Sequence, residues 1–396
     1  MWIERDIKNK IQRAAGTRPV VLLTGARQTG KSSLLQREFN KAEYITFDSI
    51  DYARSADESP SFFLEQFNNT EQVIIDEVQY VPGIFRQLKI LVDRERRKYG
   101  KWILTGSQQF ELMENISETL AGRIGVMRLE TLSASELRKG PVGYNREFIY
   151  KGGYPELWSN PGLNSDDFFE SYVRTYIERD LRNIIQVKNL SDFQRFIKLL
   201  AARSGQLINY SVIASDTGVS DVTIRKWVQA MQLSGIIYLL PPFHTNMGKR
   251  LVKSPKVYFA DHGLLCWLLG ITGLDDWADH VYRGNIWENI VFMELVKTQG
   301  LRPGADIFFY RDQNGVEIDF VTECSNTLSL IEAKAAERVE PGKLNFKKVS
   351  QLFAGKKKVR SFLMNNSQEK KILKFGNYYA INPLLTDFDL AGKNLD

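Results

Sequence analysis

Gly25-Ala26-Arg27-Gln28-Thr29-Gly30-Lys31-Ser32 decides the reading of this chain. The spacing is G-x-x-x-x-G-K-[ST], a phosphate-binding loop wherever a strand precedes it and a helix follows. Both flanks have the required character. Pro19-Val20-Val21-Leu22-Leu23-Thr24 is an apolar, β-branched run ending at a glycine, which reads as a buried strand, and Lys31 to Asn40 reads as a helix. Glycines at positions 25 and 30 let the main chain curl around phosphate oxygens, so that the N–H groups of Ala26, Arg27, Gln28 and Thr29 and the helix N-terminus at Ser32 and Ser33 face an anion. Lys31 is expected to reach the β- and γ-phosphates of ATP, and Ser32 to bind Mg2+.

Val73-Ile74-Ile75-Asp76-Glu77 supplies a second element of the same site. Its apolar residues make a central strand whose C-terminal end carries two carboxylates, and that is the end at which open α/β sheets bind ligands. Asp76 is expected to hold magnesium, directly or through water, and Glu77 to polarise the attacking water. Leu104-Thr105-Gly106-Ser107 ends a further strand, and either Thr105 or Ser107 would contact the γ-phosphate, with Thr105 preferred. Arg123, in Ala121-Gly122-Arg123, suits either of two roles: an arginine reaching a neighbouring subunit's site, which requires a homo-oligomer, or a structural salt bridge. Arg179-Asp180 reads by default as a surface pair.

Further strands at Glu43–Phe47, Trp102–Thr105 and Ile124–Leu129, separated by helical stretches, predict a parallel doubly wound α/β core over residues 1–135. A helical lid or connector is expected over 136–188, a winged helix-turn-helix over 189–256 and a second α/β unit over 257–396. With 43% apolar and 25% charged residues the composition is that of a globular protein. No apolar run is long enough for a membrane span, and the first residues lack the pattern of a signal peptide. Cys266 and Cys324 form no metal or disulfide pattern, and His244, His262 and His280 are too scattered for a zinc site or a Ser-His triad. A cytoplasmic location is the expectation. Trp267, Trp277 and Trp287 read as core.

Charge is unevenly spread. Residues 171–257 carry 13 Lys and Arg against 5 Asp and Glu, leaving the rest of the chain slightly acidic although the net charge is +6. A basic middle suits a polyanion. Helical spacing over 191–204, a short helix over 211–217, a turn at Gly218 and an N-cap at Ser220 predict a three-helix unit. Val222, Ile224, Trp227, Val228 and Met231 would face its core. Arg225 and Lys226 on the last helix, with Lys249, Arg250, Lys253 and Lys256 near the wing strands Ile236–Leu240 and Lys256–Phe259, are candidates to meet DNA with little sequence specificity. The same unit also suits a structural lid or an oligomer contact.

Glu317-Ile318-Asp319-Phe320-Val321 and Leu328 to Lys334 read as neighbouring strands. Residues two apart share a face, so Glu332 and Lys334 lie together and Asp319 can sit beside them, giving D…E-x-K. Glu288 would add an acid from the preceding helix. Such a set binds a hard cation and activates water in restriction-endonuclease-like nucleases. The same charges, satisfied by one another, also describe a relic of that fold which cleaves nothing.

Taken together, Thr24-Gly-Ala-Arg-Gln-Thr-Gly-Lys-Ser, Ile75-Asp-Glu-Val-Gln, Leu104-Thr-Gly-Ser-Gln, Leu120-Ala-Gly-Arg, Tyr176-Ile-Glu-Arg-Asp, Val257-Tyr-Phe-Ala-Asp-His-Gly-Leu and Tyr310-Arg-x-x-x-Gly-x-Glu-Ile-Asp-Phe resemble a family of prokaryotic AAA+-type ATPases. The C-terminal domain of that family is labelled a domain of unknown function and is similar to restriction-endonuclease-like folds. The resemblance covers essentially the whole chain. It implies an ATPase, in a family whose biological role is poorly defined; the basic middle and the carboxylate set add the expectation of action on DNA, and the competing expectation is an ATP-dependent switch in signalling or defence that binds a protein partner.

Overall fold

The structure is a computed structural model, and it describes all residues except 96–97, 107–118, 178–189, 244–253, 354, 356 and 391–396. The chain divides into two compact units: residues 4–131 with 233–235, and residues 1–3 with 132–232 and 236–396.

The first unit is a five-stranded parallel sheet of β1 (Val20–Thr24), β2 (Glu43–Thr46), β3 (Val73–Asp76), β4 (Trp102–Gly106) and β5 (Ile124–Arg128), in the spatial order β2-β3-β4-β1-β5. Strands β1, β3 and β4 are buried along their whole length, as expected of apolar runs covered on both faces. Because every pair is parallel, all five C-terminal ends lie on one edge. The core includes Val20, Leu22, Ile75, Phe85 and Leu104, all without solvent contact.

The second unit begins with short helices, including Ala134–Lys139 and Ser165–Tyr172, the latter running into a wider turn at Val173–Ile177. Residues 178–189, with Arg179-Asp180, lie outside the described residues. Three helices follow, Leu190–Ala201, Tyr210–Thr217 and Asp221–Leu233, and then the antiparallel pair β6 (Ile237–Leu240) and β7 (Lys256–Phe259). Asn209 caps the second helix by accepting from the Val212 N–H, and Gly218, at φ 76°, ends it. Ile224, Trp227, Val228 and Met231 are buried as predicted, but Val222 is 62% exposed. Residues two apart on a helix lie about 200° apart around its axis, so Val222 and Ile224 cannot share a face.

A six-stranded mixed sheet completes this unit: β8 (Ile307–Arg311), β9 (Glu317–Cys324), β10 (Thr327–Lys334), β11 (Lys358–Asn365), β12 (Leu373–Phe375) and β13 (Tyr378–Ile381), in the order β12-β13-β11-β10-β9-β8. The helix Arg283–Gln299 is apolar on nearly all sides and accordingly buried, with Trp287, Ile290 and Phe292 in the core. Trp277 is also buried, whereas Trp267 is half-buried and donates its ring N–H to Asp166 at 2.5 Å. No helix among the described residues is long and apolar enough to cross a membrane.

Glu294, on the same long helix, is 0% exposed, and both carboxylate oxygens accept from the Ala134 N–H at 3.2 Å. Burial lifts its pKa to about 7, against the opposing pull of Lys297, the Ala134 N–H and Arg138. The folded state thus keeps a proton that the unfolded chain releases near the ordinary carboxylate value, so stability falls as pH rises through that window and levels off above it. Urea unfolding followed from pH 5 to pH 8 is expected to show a loss of roughly 3 kcal/mol from this group. Glu294→Gln should flatten the profile; an equally steep one in the variant would remove Glu294 as its source.

Candidate functional site

The loop after β1 is built on backbone that only glycine tolerates well. Gly25 has φ 148°, and a Cβ there would lie 2.3 Å from the Leu129 carbonyl oxygen. Gly30 has φ 89° and stands at the N-cap of the helix Lys31–Glu38. Lys31 is buried, and its Nζ donates to the carbonyls of Gly25 at 3.1 Å and Ala26 at 2.9 Å. Thr29 is buried with its hydroxyl on the Ala26 carbonyl at 3.0 Å. Ser32 is half-buried and Ser33 exposed on the first turn.

Asp76 ends β3 and is almost fully buried. Strand β4 lies between β3 and β1, with Ile75 opposite Leu104, so Thr105 comes level with Asp76. The Thr105 hydroxyl donates to Asp76 Oδ1 at 2.5 Å, and Tyr44, from β2 on the other side, donates to Oδ2 at 2.6 Å. Both carboxylate oxygens are thus held by neutral hydroxyls. Burial and Asp76 together hold the Tyr44 phenol well above its ordinary pKa, so it stays a donor. Glu77 follows in left-handed backbone, φ 54°, which is uncommon for a side-chain-bearing residue, and it accepts from the buried Gln79 amide.

Arg123 pairs with Asp93 through two bonds, Nε to Oδ1 at 2.7 Å and Nη2 to Oδ2 at 3.1 Å, and also donates to the Ala121 carbonyl. Of the two roles read from the sequence, the salt bridge is the one formed here. Ser107 lies outside the described residues.

The C-terminal carboxylates also converge. The β9–β10 register sets Phe320 opposite Ile331, one step from Asp319 and Glu332. Lys334 Nζ lies 3.1 Å from Asp319 and 2.8 Å from Glu332. Asp319 accepts from the Ala333 N–H at 2.8 Å, and Glu332 from the Asn345 N–H at 2.8 Å. The structure adds one residue that sequence reasoning placed elsewhere. Lys256, expected near a DNA-facing wing, is 2% exposed and points inward. Its ammonium sits 2.8 Å from Glu288 and 2.5 Å from Glu317. An exposed role was the wrong reading because Lys256 opens a strand, Lys-Val-Tyr-Phe, that is buried throughout. Burial alone would lower the Lys256 pKa, but Glu288, Asp319 and Glu317 outweigh it and hold the ammonium charged. Burial pushes Glu288 and Glu332 up, each aided by Asp319 and opposed by its lysine. Among the described residues no cluster of His, Cys, Asp and Glu is arranged to hold a metal ion. Arg225 is exposed, paired with Asp221 at 2.8 Å and stacked 4.1 Å from the Tyr210 ring centre; Lys226 is exposed; Lys249, Arg250 and Lys253 lie outside the described residues.

A glycine-built loop after β1, a buried aspartate ending β3 and the strand order of this sheet define a P-loop ATPase domain of the AAA type. Residues 17–138 match the family model described as AAA domain, and residues 142–275 and 283–383 match two domains of unknown function, DUF8612 and DUF4143. The chain belongs to one family with two mycobacterial proteins described as uncharacterized, from Mycobacterium bovis and Mycobacterium tuberculosis. Each is 31% identical over 329 residues, 82% of this chain and 72% of theirs. Among solved structures, a Walker-type ATPase of Pyrococcus abyssi is 15% identical over 68% of this chain and 96% of that one, with a TM-score of 0.46. The RuvB Holliday junction branch migration motor of Thermotoga maritima is 13% identical over 60% and 90%, with a TM-score of 0.27. Likenesses this distant carry no argument about function.

Removing the Lys256 charge leaves the buried Glu288 without its cation, and Glu317 with Arg311 alone, 3.4 Å away. Lys256→Met is expected to cost about 3 kcal/mol or more at pH 7. The penalty should shrink as pH falls and the carboxylates protonate. Chemical unfolding at pH 5 and pH 7 measures it; a variant as stable as the parent at both would make the buried pairs energetically idle.

Proposed function

We propose that this protein binds ATP with Mg2+ at Gly25–Ser33 and hydrolyses it. The observation that carries the reading is the sheet edge itself, where a glycine-built loop, a buried lysine and a hydroxyl-clamped aspartate converge. The residues fit the ligands. A Cβ at position 25 would collide with the Leu129 carbonyl, so the path of the loop requires glycine there, and the Ser32 hydroxyl with the Asp76 carboxylate offers the oxygen donors a hard cation takes. Magnesium held there supplies neutralisation of phosphate charge. The main-chain N–H groups from Ala26 to Ser33 grip the phosphates. Lys31 exchanges the Gly25 and Ala26 carbonyls for β- and γ-phosphate oxygens. Thr105 has its hydrogen on Asp76 and acts by orienting that carboxylate. Glu77 polarises the attacking water, and Gln79 sets its side chain. Arg123 contributes to turnover only if it leaves Asp93 for the site of a neighbouring copy in a homo-oligomer.

The downstream part of the reading is action on DNA. Three helices followed by the β6–β7 hairpin suit a winged helix-turn-helix, with Arg225 and Lys226 exposed on its last helix. The C-terminal domain would then bind or cut nucleic acid through Glu288, Asp319, Glu332 and Lys334. One observation favours a second reading. Two ammonium groups, Lys256 and Lys334, already neutralise those carboxylates, which suits a catalytically silent domain in an ATP-dependent switch that binds a protein partner.

Glu77→Gln is expected to keep ATP affinity within about threefold of the parent while lowering turnover at least about 100-fold. Undiminished turnover in that variant would take Glu77 out of its role. ATPase assays with duplex, branched and single-stranded DNA, with a gel readout, separate the two downstream readings. Stimulation by DNA, with binding that weakens steeply as salt rises, supports action on DNA; turnover indifferent to DNA, with no cleavage, supports the switch.

A further inference from the structure

Arg5 lies near the N-terminus, 20 residues before the loop begins, and carries no motif. It is nonetheless 6% exposed, and its guanidinium reaches two main-chain carbonyls far away in sequence. Nη1 donates to Thr29 O at 2.9 Å, and Nη2 to Glu130 O at 2.6 Å. Thr29 is the residue just before Gly30. In a trans peptide the C=O and the following N–H point in opposite directions within one rigid plane. Holding the Thr29 carbonyl on Arg5 therefore fixes which way the Gly30 N–H points, and Gly30 caps the helix whose N-terminus faces the phosphates in the proposed ATP site.

The other loop carbonyls with a described partner are held differently. Those of Gly25 and Ala26 accept from Lys31, whose ammonium is the group expected to move to phosphate. The Arg5 bond to Thr29 does not depend on Lys31. Its second bond ties the loop to the segment after β5, and the neighbouring residue there, Leu129, donates its N–H to Thr24 O at 2.8 Å. The chain just after Arg5 is itself fixed, since the Lys8 N–H donates back to the Arg5 carbonyl at 3.1 Å and opens the helix Lys8–Ala15.

We propose that Arg5 is a positioning residue for the nucleotide: by holding the Thr29 carbonyl away from the phosphates it keeps the Gly30 N–H directed at them in advance of binding. The proposal rests on the ATP reading of the loop. Because the preformed loop meets the phosphates alike in ground and transition states, Arg5 acts on affinity and KM more than on kcat.

The test titrates the full chain, Arg5→Gln and Arg5→Lys with a fluorescent ATP analogue in magnesium buffer, and measures KM, kcat and nucleotide-free melting for each. Loss of a charge-assisted bond that orders the loop is expected to raise Kd and KM about tenfold in Arg5→Gln, with kcat changed much less. Arg5→Lys keeps the charge but replaces the planar two-pronged guanidinium by one tetrahedral ammonium on a shorter side chain, so it should fall in between. Unchanged Kd and KM in Arg5→Gln would overturn the proposal, whatever happens to melting. If Arg5→Gln does not fold, Arg5→Lys decides, and parental affinity in it overturns the proposal. A parent chain without ATP affinity would bring down the nucleotide reading and the Arg5 role together, whereas a binding parent with unaffected variants would bring down Arg5 alone.

Discussion

A peptide unit cannot offer its N–H to a phosphate while its carbonyl also crowds that phosphate, because the two point opposite ways from one rigid plane. Every feature of the loop after β1 answers to this constraint. The loop backbone takes positive φ at Gly25, Gln28 and Gly30. The carbonyls turned away must then find donors, since a buried acceptor left without one is costly. Lys31, the Thr29 hydroxyl and Arg5 are those donors. In the proposed ATP site the contacts to the anion thus belong to the main chain, and side chains act largely by holding carbonyls away from it.

The same economy governs the acid next to the loop. Strand order places β4 between the loop strand and the aspartate strand, roughly 10 Å apart by ordinary strand spacing. Asp76 is held by Thr105 on one side and Tyr44 on the other, so both oxygens of a buried carboxylate are hydrogen-bonded and its direction is fixed. The second unit solves the burial of charge differently. There Lys256 and Lys334 stand among Glu288, Glu317, Asp319 and Glu332, so each carboxylate has an ammonium within 3.1 Å. Removing one partner from such a set exposes the full desolvation cost of the rest.

The loop and the acidic strand end were legible in the sequence because each is a local pattern: glycines at a fixed spacing, or an apolar run that stops at a carboxylate. The parallel sheet was legible for the same reason, from β-branched runs alternating with helical spacing. What escaped depends on strand order and long-range contact. Nothing near Thr105 says that its hydroxyl meets Asp76, because that comes from β4 lying beside β3. Tyr44 and Arg5 carry no motif, and their partners lie 32 and 24 or 125 residues away. Lys256 was misplaced because a basic residue beside other basic residues reads as surface; the signal that argued otherwise was its position at the head of a four-residue buried strand. Val222 was misplaced by counting apolar residues on a helix without following their angle around its axis.

Every functional role assigned to the first unit requires that the loop hold a triphosphate. Equilibrium titration of the full chain with ATP, in magnesium buffer and again with the metal chelated, tests that claim. Saturable binding that requires the Lys31 side chain and weakens when magnesium is removed is the predicted result. No detectable affinity in magnesium buffer, or affinity that survives Lys31→Ala undiminished, would contradict it.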